Sequence, residues 1–194
     1  MVHYKASGSK FERELKGILE NDPSTIVSVT KTFTEVQKAV LNRIKDISFI
    51  VIRSAGSLGV DLFAINGHIS FPIEIKSSDN EKLNFSSSGG KGMKQAEEFI
   101  RKCTQVGLIP LYAFRIKGGR GDPWRIFTLP SSHPLQNSAY ADFIYRHLPK
   151  IDLTAQGNFQ MVWSRGMPLH EFIDRLHNLM IKKTGFVPSV NNYL

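Results

Sequence analysis

Two carboxylates and one lysine interrupt the stretch GVDLFAINGHISFPIEIK, Gly59 to Lys76, which otherwise reads as two apolar runs. Charge on a half-buried sheet costs free energy unless it is paired or binds a metal. Asn66-Gly67 lies between the runs and predicts a hairpin with a two-residue type I′ turn. With that turn Ile65 opposes His68 and Asp61 opposes Pro72, and Glu74 is a diagonal neighbour of Asp61, about 7–8 Å away at Cα. Alternation places Ile69, Phe71, Ile73 and Ile75 on one face and Ser70, Pro72, Glu74 and Lys76 on the other. Asp61, Glu74 and Lys76 therefore share a face and converge at one end of the hairpin.

Two carboxylates within reach of a common point make a hard oxygen site for Mg²⁺, with ligand distances of about 2.0–2.1 Å; Mn²⁺ can substitute. Such an ion acidifies a bound water and offsets charge on a phosphoryl group under attack. A lysine one pleat away can orient that water or stabilise the phosphate oxygens. The plainer alternative is an edge strand protected by Glu-x-Lys, with Asp61 capping the preceding loop.

The elements that must position these residues follow from periodicity. Phe11, Leu15, Ile18 and Leu19 predict a helix from about Lys10 to Asn21 with Ser9 as N-cap. A second helix is expected from about Phe33 to Lys45, with Val36, Val40 and Ile44 on one stripe and Thr32 with Glu35 as a capping box. SFIVIR (48–53) is a β-branched strand, and SAGSLG is the loop leading to the hairpin. The segment SSDNEKLNFSSSGGKG reads as a flexible loop. A helix is expected over Met93–Val106, with Gly107 at its C-cap and Gln95 either touching an attacking water or, as the plainer alternative, standing as an exposed amide. Leu108–Arg115 and Trp124–Leu129 read as strands joined by GGRGDP. Beyond them, PSSHPLQNS reads as a linker or wrap. A last helix, about Pro168 to Lys183, has Pro168 in its first turn, Gly185 as its cap and a stripe of Leu169, Phe172, Ile173, Leu176 and Met180 that packs on the body. Helices on a mixed sheet give an α/β sandwich.

The 194 residues suit one domain with room for a decorating segment. At 41% hydrophobic and 22% charged the chain has the composition of a folded protein and not of a disordered one. No apolar run approaches the ~20 residues of a membrane span, and the first residues lack the apolar core of a secretory signal. The single cysteine, Cys103, excludes an internal disulfide and a cysteine-built zinc site, and points to a reducing cytoplasm. The six histidines are scattered and mark no ligand cluster. A net charge of +8 favours a polyanionic partner. Residues 1–130 hold 19 Lys/Arg against 13 Asp/Glu and residues 131–194 hold 6 against 4, so the excess lies mainly in the first part.

Asp-(twelve residues)-Glu-x-Lys on a hairpin is the pattern of the PD-(D/E)xK nucleases, with Val60 standing where Pro is usual. KASGSKFEREL and FIVIRSAGSLGVDL resemble the corresponding segments of archaeal Holliday-junction resolvases, and MKQAEEFIRKCTQVGLIPLYAFRI, ending near WRIF, is similar to the helix and two strands that follow there. The resemblance covers roughly Lys5–Asn21 and Ser48–Leu129. It implies a restriction-endonuclease-like core at residues 1–130, with a mixed sheet of about five strands flanked by helices. A helical insertion at about residues 22–46 and a C-terminal extension at 131–194, packed on the core, are extra.

The same resemblance implies metal ligation by Glu12, Asp61, Glu74 and Ile75, with Lys76 catalytic. Glu12 also fits a capping box with Ser9, in which it only satisfies backbone donors. Ser54 or Ser57 would lie near the scissile phosphate; the sequence does not choose between them. Arg13 and Arg53 match basic residues linked to activity in that family and are expected, with Ser54, to contact DNA; Lys82, Lys91 and Lys94 are further backbone-binding candidates. The implied protein is a Mg²⁺-dependent endonuclease that acts on branched DNA, four-way junctions above all, as a homodimer. The alternatives are a related nuclease acting on other branched or duplex DNA, and an idle DNA-binding module of the same fold.

Overall fold

Alternating aliphatic and aromatic residues build the sheet from which the rest of the chain hangs. The computed structural model describes residues 6–54, 59–85, 91–130 and 139–184. The first part forms α1 (Ala6–Leu19), α2 (Pro23–Val29), α3 (Glu35–Leu41), β1 (Ile50–Arg53), β2 (Leu62–Ile65), β3 (Ser70–Ser78), β4 (Lys82–Asn84) and α4 (Lys91–Gln105). There follow β5 (Leu111–Ile116), β6 (Trp124–Thr128), α5 (Ala139–His147), β7 (Asp152–Leu153), β8 (Phe159–Val162), β9 (Met167–Pro168) and α6 (Leu169–Thr184).

The main sheet is mixed, with strand order β1-β2-β3-β5-β6-β9. Only the β3–β5 pair is parallel, and α4 lies on the connection between them, as a parallel pair requires. Five of the six strands come from the first 130 residues and the sixth, β9, from the tail. Leu111 and Ala113 face one core with Leu15, Ile18, Phe71 and Ile73, joined by Phe172, Ile173 and Leu176 of α6. Tyr112 and Phe114 face the opposite core with Ala96 and Phe99 of α4 and Phe159 and Met161 of β8. The stripe of α6 is therefore buried within the chain. Uncovered apolar residues remain at the β1–β2 edge: Ile50, Ile52 and Ile65 are 69%, 53% and 40% exposed.

Several local expectations are corrected. Helix α1 begins at Ala6, so Ser9 lies inside it and cannot be its N-cap. The expected helix over 33–45 is shorter and preceded by another. Asp22 caps α2 by accepting the Thr25 N–H (2.8 Å), with Pro23 in its first turn. Phe33 is extended, and the capping box is formed by Thr34 and Gln37 instead of Thr32 and Glu35. Val36 is exposed, while Leu41 and Ile44 reach the core. Lys82–Asn84, expected as loop, pairs with β8 and joins β7 in a second, three-stranded sheet. Its partner comes from the tail, where α5 and β7 to β9 carried no sequence signal. Pro168 precedes α6 in β9, and Gly185 lies outside the described residues.

Candidate active site

The hairpin pairs Leu62 with Ile73 and Ile65 with Ser70, so its register is displaced by two residues from the expected one. Asn66 is the reason. Its N–H donates to Ile69 O (3.1 Å), so the turn centres on Gly67-His68. Its Oδ1 accepts the His68 N–H (3.1 Å), and its Nδ2 donates to Ile47 O (3.2 Å) and Ser48 O (3.0 Å) just before β1. A slip of one residue would have reversed the faces, whereas a slip of two preserves them. Asp61, Glu74 and Lys76 keep their common face, and Asp61 moves from opposite Pro72 to the level of Glu74.

Asp61 is fixed at both ends of its peptide unit. Its N–H donates to Ile73 O (3.0 Å) and its carbonyl accepts the Ser54 N–H (2.9 Å). Its Oδ2 accepts the Ile75 N–H at 2.6 Å. Glu74 pairs with Tyr112 across the parallel ladder and accepts from Lys76 Nζ at 2.7 Å. Glu74 and Lys76 face a cavity of about 210 Å³ lined also by Phe85, Gly92, Gln95 and Tyr112. The start of α4 closes it. Gly92 permits that approach, since a Cβ there would lie 2.4 Å from Phe85 O.

Burial dominates the electrostatics. It raises the pKa of Asp61, against the lowering effects of the Ile75 N–H and Lys76, and Glu12 adds to the rise. Burial likewise raises Glu74, opposed by Lys76 and reinforced by Asp61. Burial thus disfavours the charge of both carboxylates in spite of Lys76. Burial and the neighbouring Glu74 also push the Tyr112 hydroxyl up, which keeps it neutral.

Glu12 approaches from α1, on the other side of the sheet from the cavity. Its Oε2 accepts from Arg53 Nε (3.0 Å) and Nη2, so the carboxylate serves an ion pair. Arg13 is exposed on the next position of α1. Lys82 and Lys94 are exposed on β4 and at the start of α4. Lys91 opens α4, with its side chain outside the described part, and Ser57 lies outside the described residues altogether. The structure therefore brings together Asp61, Glu74, Lys76 and the main chain of Ile75; Glu12, paired with Arg53 across the sheet, is near enough to Asp61 to act on its charge but does not line the cavity. Tyr112 was missed; its only signal was its place opposite Glu74 on an alternating strand.

Among the described residues no group of three or more His, Cys, Asp or Glu is placed to hold a metal ion. Asp61 and Glu74 nevertheless fit a hard divalent cation: both are oxygen donors, adjacent and largely buried, where a cation would offset the cost of their charge. Two protein ligands leave room for water and a phosphate oxygen, as Mg²⁺ sites on phosphate substrates do.

No protein-family model matches the chain, and no curated protein matches it. Among solved structures it is similar to Hjc, a Holliday junction resolvase of the archaeal hyperthermophile Archaeoglobus fulgidus. That similarity is 20% in identity and 0.48 in TM-score, over 87% of this chain and 96% of that one. Likeness at this level carries no weight for activity, which rests on the residues above. No helix among the described residues is long and apolar enough to cross a membrane.

Proposed function

We propose that the chain is a Mg²⁺-dependent endonuclease that hydrolyses DNA phosphodiesters, with four-way junctions as its preferred substrate. The observation that carries the reading is that Asp61, hydrogen-bonded to the Ile75 N–H and to the Glu74 side chain, adjoins Glu74 and Lys76 where these two line the cavity at the end of the hairpin. Asp61 and Glu74, with the Ile75 main chain, would hold the ion, and Glu12 would complete the set by leaving Arg53. When bound, Mg²⁺ or Mn²⁺ supplies an acidified water and offsets phosphate charge. Lys76 is held by Glu74 at 2.7 Å and would stabilise the charge that builds on a phosphate oxygen bound beside Glu74. Ile75 N–H fixes the Asp61 carboxylate, so the other Asp61 oxygen is oriented before substrate arrives.

The preference for junctions rests on the sequence resemblance, and with it the homodimer. The α4 face and α6 stripe are used within the chain, so a second copy would seat on the uncovered edge at Ile50, Ile52 and Ile65. A twofold dimer places two such sites on opposed strands of a near-twofold junction. Residues 1–130 act as the nuclease core, and residues 131–194 as an extension that completes both of its hydrophobic faces. One assay tests the reading: cleavage of four-way junction, fork and linear duplex, with and without Mg²⁺, by the wild type and by Asp61→Asn. Junction-selective, metal-dependent nicking that Asp61→Asn abolishes is expected. Equal cutting of all three would leave a general nuclease, and no cutting would leave a binding module.

A further inference from the structure

α1, α2 and the turn between β5 and β6 enclose a second, open cleft of about 630 Å³, distinct from the catalytic cavity. The inserted segment builds one wall. The Thr32 hydroxyl accepts the Gly121 N–H (3.1 Å), which pins the segment after α2 to the β5–β6 turn and fixes Lys31 across from α1.

The charged lining is Lys10, Arg13, Lys31 and Arg115 against a single acid, Glu14. That acid is not free. Arg115 Nε donates to Glu14 Oε1 (2.8 Å), Nη2 to Oε2 (3.3 Å), and Trp124 Nε1 also donates to Oε1 (2.9 Å). Lys10, Arg13 and Lys31 are exposed, and none forms an ion pair or hydrogen bond among the described residues. Many other cations are paired: Lys16 with Glu20, Arg43 with Asp174, Lys117 with Asp79, Arg165 with Asp152. Three unneutralised positive charges around one concavity repel each other and concentrate a potential that attracts a polyanion. The Ser28 hydroxyl adds an unengaged donor to the same lining.

The cleft lies at the catalytic end of the sheet. Arg115 pairs with Ser77, the residue after Lys76, and its side chain emerges on the opposite face. Arg13 follows Glu12 on α1. A phosphodiester chain leaving the catalytic cavity and rounding the end of the sheet would meet these cations next. We infer that this cleft holds the sugar-phosphate backbone of a DNA arm flanking the cut site, and that the insertion exists to build it. The direction of that arm rests on the nuclease reading; the polyanion site does not.

The test is equilibrium binding of the full chain to duplex and four-way junction in chelator, so that nothing is cut, at several salt concentrations. Each phosphate contact contributes about 0.9 to the slope of log K against log salt, so Lys10→Gln with Lys31→Gln should lower it by about 1.8 on both DNAs. The wild type's advantage over that double variant should then shrink roughly twelvefold between 50 and 200 mM salt. Lys102→Gln with Arg146→Gln removes the same charge elsewhere and should leave the slope unchanged. Melts run beside the titrations should show all proteins equally folded. An unchanged slope in the first pair, or an equal loss in the second, overturns the inference while leaving cleavage untouched. Loss of stabilisation by inorganic phosphate without a slope change would also overturn it, in favour of a small-anion site. Absent cleavage with the expected slope change would instead remove the nuclease reading and keep the cleft.

Discussion

Replacing Glu74 with Gln should stabilise the protein near neutral pH and at the same time abolish metal-dependent cleavage. Burial raises the Glu74 pKa in spite of Lys76 at 2.7 Å, so the net environment disfavours the charge even with its partner counted. A carboxyl group with a raised folded pKa keeps its proton longer in the native protein than in the unfolded chain. Its effect on stability is absent below the ordinary carboxylate range, grows unfavourable as pH rises through the raised value, and is complete above it. Asp61 behaves in the same direction. Wild-type melting temperature should therefore fall as pH rises out of the ordinary carboxylate range through these two groups, and Glu74→Gln should reduce the fall. A divalent ion should reverse it. At about a hundred times its dissociation constant a ligand contributes roughly 2.7 kcal/mol. At about 2–4 °C per kcal/mol for a chain of this size, the wild type should gain roughly 5–10 °C with saturating Mg²⁺ at pH 7.5. Glu74→Gln should gain little. The assay is a thermal melt with and without Mg²⁺ at pH 5 and pH 7.5, run beside junction cleavage. A variant that keeps both the Mg²⁺ shift and the cleavage would refute the site assignment.

Glu12→Gln should change the melting temperature little, because its ion pair with Arg53 is partly exposed and worth at most about 1 kcal/mol; cleavage should collapse, and a melt beside the cleavage assay separates the two effects. Leu176→Ala removes a fully buried side chain from the core that α6 shares with β3 and should cost roughly 2–5 kcal/mol, read from chemical denaturation. Thr34→Ala should lose about 1 kcal/mol through its cap on the Gln37 N–H, with DNA cleavage unchanged. Cys103, buried on α4 with its thiol pushed up to about 12, should resist alkylation in the native protein and react at once in denaturant, read by mass spectrometry.

What the sequence determined by itself is parity and periodicity. Side chains alternate at period two, so Asp61, Glu74 and Lys76 had to share a face under either register, and a displacement of two residues left that shared face intact. The apolar stripes of α4 and α6 were equally legible, because helical spacing is a local property. Tertiary structure decided whatever depends on a partner distant in the chain. Asn66 sets the hairpin register through carbonyls of Ile47 and Ser48, which no turn preference encodes. β4 has three residues, too few for a recognisable period, and exists because β8 of the extension pairs with it. Glu12 is tied to Arg53 forty-one positions away, and Glu14 to Arg115 and Trp124 across more than a hundred. Lys31 carried no signal of its own in the helical insertion. It lines the cleft with Lys10 and Arg13 only because Thr32 and Gly121 meet, since hydrogen bonds and packing bring charges together without regard to their order in the chain.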